Sequence, residues 1–396
     1  MEVWDRTGEV LHKLASLPLA DAVSTDGVPT GPRSYHWNAA EPATLVWVEA
    51  LDGGDPKKEV PQRDRILMLR APFQSPPVEL IKTEHRYAGL LWGEQDGIAL
   101  VSDYDRVRRW RRTFVLETTN LTQPPRLLFS RDIRDRYHHP GTPIMRRLPT
   151  GHPVVRQHRG SIYLSGAGAT SEGDRPFLDR FDVKTLQAER LFQCDNVSYE
   201  TVVALLDDEA TQFVTRRESP KDPPNYVMRS DGGQRALTQF SDPTPSLRDI
   251  TKQLVTYRRA DGVELSFTLY LPAGYKQGTR LPTVVWAYSR EYNDPATAGQ
   301  VAGSTQRFTT LRGPSHLFYL LHGYAVLDNA AIPVIGDFQT VNDTYVDQIV
   351  MGAKAAIEKA TELGITDPHR VGVGGHSYGA FMTANLLAHS DLFRAG

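Results

Sequence analysis

The sequence predicts an all-β half, residues 1–245, followed by an α/β half, residues 246–396. Three observations lead to this division. Short β-like runs broken by turn residues fill the first half, with no convincing helix-period stretch. After Pro243 and Pro245, buried-type apolar strands alternate with helical patterns. A Gly-x-Ser-x-Gly stands where one of those strands runs into a helix. At ~150 residues per domain, 396 residues suit two or three domains, each able to bury its own core.

In the first half, Val3-Trp4 and Val10–Leu14 read as a hairpin, the outer part of a β unit. Thr44–Glu49, Arg65–Leu69 and Val78–Ile81 form the next set. Ile98–Ser102 after an Asp96-Gly97 turn, Thr113–Leu116 and Arg126–Phe129 form a second. Ile162–Leu164, Phe177–Phe181 and Glu189–Phe192 follow, then Thr201–Leu206, Phe213–Thr215, Tyr226–Met228 and Arg235–Leu237. With Leu67, Phe114, Phe181 and Val227 taken as equivalent third strands, the spacings are 47, 67 and 46, the long one containing the segment 131–160. About four strands per period of that size is the pattern of β-propeller blades, an irregular pair of β-sandwiches being the alternative.

In the second half, Leu254–Arg258 and Glu264–Leu271 flank Ala260-Asp261-Gly262 as a hairpin, with Leu265, Phe267, Leu269 and Leu271 on one face. Thr283–Ala287, Tyr324–Leu327 and Arg370–Gly374 read as strands buried on both faces. Between the last two, Val346, Ile349, Val350, Ala353, Ala356, Ile357, Ala360 and Leu363 repeat at helical spacing. Asn342 or Asp343 is the expected cap and Gly364 the stop.

Composition excludes several classes of protein. Forty-five basic against 47 acidic residues give a formal charge of -2, so no global field draws the chain to nucleic acid or an anionic membrane. The arginine run 106–112 reads as a solvated face. A single cysteine, Cys194, rules out an internal disulfide and a cysteine metal cage. His138-His139 and His152 lack metal spacing, and no glycine-rich phosphate loop follows a strand, so neither metal nor cofactor is expected. The longest apolar run, Leu317–Leu327, is interrupted by His322-Gly323 and is too short to cross a bilayer. With no basic, apolar leader at Met1, the face-value compartment is the cytoplasm.

Gly375-His376-Ser377-Tyr378-Gly379 carries the chemistry. Between the strand pattern 370–374 and the helix former Ala380–Ala388, it holds a serine on a sharp turn with its hydroxyl exposed, as in the α/β-hydrolases. Glycines at both flanks allow the strained backbone. The Tyr378 N–H, at the helix start, supplies half of an oxyanion hole.

The run 374–389 resembles the nucleophile segment of the prolyl oligopeptidase family of serine peptidases, and most of all its glutamyl endopeptidase branch. So do Trp286–Tyr292, Ala331–Gly336, Arg175–Arg180, Arg217–Pro220 and Pro224–Tyr226, so that the likeness covers nearly the whole chain. The resemblance implies a β-propeller followed by an α/β-hydrolase domain, which matches the order read from the pattern. It implies peptide substrates, with Ser377 as nucleophile and the Tyr288 hydroxyl completing the oxyanion hole. Arg290 stands where it can reach an acidic substrate side chain, a plain surface role being equally open. The acid and base of the triad should follow the serine, yet only 19 residues do. His389 and Asp391 lie a helix length away, roughly 18 Å at 1.5 Å per residue. Such a chain is expected to be truncated at both ends, lacking the triad Asp and His and nearly inactive alone, with a lost leader and the oligomeric state left open. A dipeptidyl- or acylaminoacyl-peptidase, an esterase, or a non-catalytic fragment that only binds peptides or partners are the alternatives.

Overall fold

A computed structural model describes residues 1–396 except Pro18, Ala22 and Asp96, so the first residue of the Asp96-Gly97 turn lies outside the described residues. By its packing the chain divides into two compact units. One comprises residues 1–132, 142–164 and 180–189, and the other 133–141, 165–179 and 190–396.

The first unit contains the expected hairpin, Glu2–Trp4 against Val10–Lys13, and two four-stranded antiparallel meanders. Arg33–Trp37, Thr44–Ala50, Asp64–Arg70 and Val78–Thr83 form one, and Arg86–Trp92, Ile98–Asp105, Trp110–Glu117 and Arg126–Asp132 the other. Val46, Val48, Ile66 and Met68 of the first pack with Trp92, Ala99, Val101 and Leu116 of the second, because alternate residues of each strand point into the seam. The buried carboxylate of Asp64 joins the two meanders, accepting from Arg33 at 2.7 Å and Arg86 at 2.8 Å. The opening strand of each meander was not legible in the sequence. Both carry register shifts, between Arg33 and His36 and between Tyr87 and Gly89, which break the two-residue period that marks a strand. The arginine run lies along the second meander and is largely engaged, Arg112 with Asp103 and Glu84 and Arg106 with Asp26.

The second unit holds another such meander, Tyr199–Leu205, Phe213–Glu218, Asn225–Ser230 and Gly233–Ala236. These meanders are blades of a β-propeller, incomplete in this chain. Leu67, Phe114 and Val227 each fall in a third strand, as the spacing requires.

The α/β part of that unit is a five-stranded mixed sheet. Its strands are β1 (Thr251–Arg258), β2 (Glu264–Leu271), β3 (Leu281–Ala287), β5 (Ala325–Ala330) and β7 (Thr366–Gly374), in the order β1-β2-β5-β3-β7. The strands β4 (Arg290–Tyr292) and β6 (Pro333–Ile335) pair in parallel as a separate ribbon. β3 runs parallel to both of its neighbours, Val284 opposite Val326 on one side and Gly372 on the other. Helix α1 (Tyr345–Glu362) covers one face with Ile349, Ala353, Ala356, Ile357 and Ala360. The expected cap residues Asn342 and Asp343 instead lie in a 3-10 turn, Val341–Thr344, which leads into the helix without a side-chain cap. Packing of the apolar stripe stabilises this helix in place of the cap. Gly364 ends it at φ 75°, as expected. Leu327 is fully buried in the central strand β5. Leu327→Ala is expected to cost about 2–5 kcal/mol, read as a lowered urea midpoint by tryptophan fluorescence.

Candidate active site

The parallel strands β3 and β7 end side by side, Trp286 opposite Gly374. Whatever follows each strand is therefore brought together at the carboxyl edge of the sheet, where open α/β sheets place their ligands. Tyr288 follows β3, and Gly375-His376-Ser377 follows β7 before helix α2, Tyr378–His389.

Ser377 has φ 55° and ψ -117°, a backbone region that only glycine enters freely, and it is exposed. The turn is closed by the Gly379 N–H donating to the His376 carbonyl at 2.8 Å and the Ala380 N–H donating to that of Ser377 at 2.8 Å. The flanking glycines are required by space. A Cβ on Gly375 would stand 2.4 Å from the Ala287 carbonyl oxygen, and one on Gly379 2.6 Å from the same atom. Both glycines of the pentapeptide thus press on the last residue of β3, which fixes Tyr288 beside the turn.

The Tyr378 N–H opens helix α2 and has no acceptor within it, so it faces outward at the positive end of the helix dipole. Its side chain is tied down. The Tyr378 ring stacks on Phe381 at 5.3 Å and lies 5.8 Å from Tyr345 and 6.2 Å from Tyr288. Its hydroxyl is hydrogen-bonded to Glu291 and Tyr345. Tyr345 in turn shares a 2.9 Å hydrogen bond with the buried Ser289. Burial first, then the neighbouring Glu291 charge, pushes the Tyr378 phenol far above its ordinary value, so it stays protonated. Tyr288 is 43% exposed, and its ring meets Tyr378 and the Arg290 guanidinium.

The three residues singled out in the sequence, Ser377, Tyr288 and Tyr378, are therefore neighbours around one turn. No sequence signal pointed to Ser289, Tyr345 and Glu291, because a hydroxyl network across a strand end and a helix has no characteristic spacing. Among the described residues, the Ser377 hydroxyl has no hydrogen bond to an imidazole or a carboxylate. His316 is engaged elsewhere, bonded to Asp328 at 2.7 Å and stacked on Trp286 at 4.4 Å. No group of His, Cys, Asp and Glu able to hold a metal is found among the described residues, and no helix among them is long and apolar enough to cross a membrane. The Cys194 thiol is buried, donating to the Ser198 carbonyl at 3.2 Å.

A strained, exposed serine between a parallel strand and a helix, with a free amide behind it, is the arrangement in which α/β-hydrolases carry their nucleophile. Residues 338–396 match the prolyl oligopeptidase family. Over its full length the chain is 40% identical to a probable chloroplastic glutamyl endopeptidase of Oryza sativa subsp. japonica and 39% identical to one of Arabidopsis thaliana. It spans 45% and 44% of those proteins, less than half of either. Among solved structures it is similar to oligopeptidase B from Trypanosoma brucei with covalently bound antipain, at TM-score 0.55 and 13% identity over 91% of this chain and 55% of that one. A putative dipeptidyl aminopeptidase IV from Bacteroides ovatus is similar at TM-score 0.57 and 13% identity, over 98% of this chain and 65% of that one. At such identities the structures speak for the fold alone. Residues 338–396 thus carry the pattern of the prolyl oligopeptidase family, and the chain as a whole is similar to the two plant proteins of its glutamyl endopeptidase branch.

The backbone at residue 377 predicts an ordering of stabilities. Ser377→Gly is expected to be more stable than Ser377→Ala by about 1–3 kcal/mol, because glycine removes the cost of the positive φ. Gly379→Ala is expected to lower the melting temperature, while the exposed Ala380→Ser leaves it within about a degree or two. Thermal unfolding of the four variants checks both statements.

Proposed function

We propose that the protein is a serine endopeptidase that cleaves peptides after glutamate, with residues 246–396 contributing the nucleophile and oxyanion hole of its catalytic domain. The observation that carries this reading is the conformation of Ser377, exposed at φ 55° on a turn whose two glycines abut the carbonyl preceding Tyr288. Such strain persists where the surrounding structure enforces it, and an acyl-transfer nucleophile gains from it.

In the proposed reaction a general base takes the Ser377 hydroxyl proton as Oγ bonds to the substrate carbonyl carbon. The carbonyl oxygen becomes an oxyanion held by the Tyr378 N–H and the Tyr288 hydroxyl. Collapse breaks the peptide C–N bond, the amine leaves with the proton returned by the base, and water then hydrolyses the acyl-enzyme by the same route. The base and its orienting acid are proposed to lie outside these 396 residues, since no described imidazole is hydrogen-bonded to Ser377. The glutamate preference is supported by the names of the two plant relatives.

Three outcomes are expected with a fluorophosphonate probe and peptide substrates. The full-length protein labels at Ser377, and Ser377→Ala abolishes both labelling and hydrolysis. Tyr288→Phe lowers kcat by roughly 10²–10³ with a smaller change in KM, as loss of one oxyanion donor does. The 396-residue chain alone labels more slowly than the full-length protein, by ~10⁴-fold or more. Labelling of the short chain at the full-length rate would contradict the assignment of the base to another part of the protein.

A further inference from the structure

We infer that Arg290 is the cation that selects an acidic side chain on the residue whose carbonyl is attacked. The inference rests on the peptidase reading above and adds to it the group that sets specificity.

Arg290 and Tyr288 are two residues apart, with Ser289 between them buried and bonded to Tyr345. The chain alternates here as an extended strand does, so Tyr288 and Arg290 share the outward side. The Arg290 guanidinium lies 5.4 Å from the centre of the Tyr288 ring. An anion bound by Arg290 is thus within a side chain's reach of a carbonyl whose oxygen meets the Tyr288 hydroxyl.

The other arginines of this neighbourhood are already engaged. Arg136 binds Asp174 at 2.8 Å, and Arg259 is buried against Asp261 at 2.7 Å. Arg290 is exposed and has no carboxylate within ion-pair distance among the described residues. Beside it is a cleft of about 70 Å³ bordered by Tyr288, Asn329 and Ile332. That is several times the roughly 10–15 Å³ that one water needs.

The cation is held on a fixed backbone. Arg290 pairs with Pro333 in the β4–β6 ribbon, and the Gln348 amide of helix α1 bonds both the N–H and the carbonyl of Ile335 at 2.8 Å. A guanidinium on a strand secured in this way recognises a carboxylate with less ordering cost than one on a free loop. The uncharged amide of glutamine, of the same length, forfeits the charge-assisted hydrogen bonds.

The test compares kcat/KM of the full-length protein, Arg290→Gln and Arg290→Lys on paired peptides that differ only in Glu or Gln before the scissile bond. Each peptide is made with a free and an amidated C-terminus. The full-length protein is expected to prefer Glu; Arg290→Gln brings that preference down roughly 10–100-fold while hydrolysis of the Gln peptide stays within about twofold, and Arg290→Lys retains part of it. An undiminished Glu preference in Arg290→Gln overturns the inference, as does an equal fall on both peptides. An effect that follows the free C-terminus instead of the side chain overturns it as well, by assigning the anion to the peptide's end. If the full-length protein hydrolyses no peptide, the peptidase reading fails and this one with it; hydrolysis without a Glu preference overturns this one alone.

Discussion

The Ala287 carbonyl oxygen is the point on which the site's geometry turns. Two glycines four residues apart both approach it more closely than any side chain would permit, and the serine lies midway between them. A hydroxyl displayed on a sharp bend needs a backbone conformation that costs free energy, so something must hold the bend closed. Here the holder is the neighbouring strand, itself fixed by parallel pairing on both sides. The same contact delivers the tyrosine one residue further on. A single close approach therefore decides the pose of Ser377 and the place of Tyr288 together.

Much of this was legible in the sequence because its signals are local. The run Gly375–Gly379 is recognisable between a buried-strand pattern and a helix former, and the strand ending at Ala287 announces itself by an unbroken apolar stretch. The stripe of Ile349, Ala353, Ala356 and Ile357 likewise defined helix α1. Its start was not legible, since Asn342 and Asp343 look like caps yet form a 3-10 turn, and nothing in the residue types distinguishes the two. The opening strands of the meanders escaped for a different reason. Bulges at Ser34 and Gly89, with φ 51° and 142°, displace the alternation on which strand recognition depends. The partners of Tyr378 were beyond reach, because Glu291 and Tyr345 come to it from a separate ribbon and a separate helix.

The β-rich first unit shows how such sheets are joined. Its meanders share an apolar seam, and across that seam Arg86 serves both Asp52 and Asp64, carboxylates with no exposed side-chain surface. Burying such charges is costly unless each is matched, so these pairs fix which surfaces meet more than they add to stability. The arginine run 106–112 is part of the same economy of paired charge, with Arg112 held by Asp103 and Glu84.

The hydroxyls of Ser289, Tyr345 and Tyr378 form a chain that crosses from the end of β3, through the first residue of helix α1, to the first residue of helix α2. Its last member carries the amide nearest the serine. Displacing helix α1 along its axis would pull on that amide through two phenols, which makes the long helix a lever on the turn at Ser377 as well as a cover for the sheet.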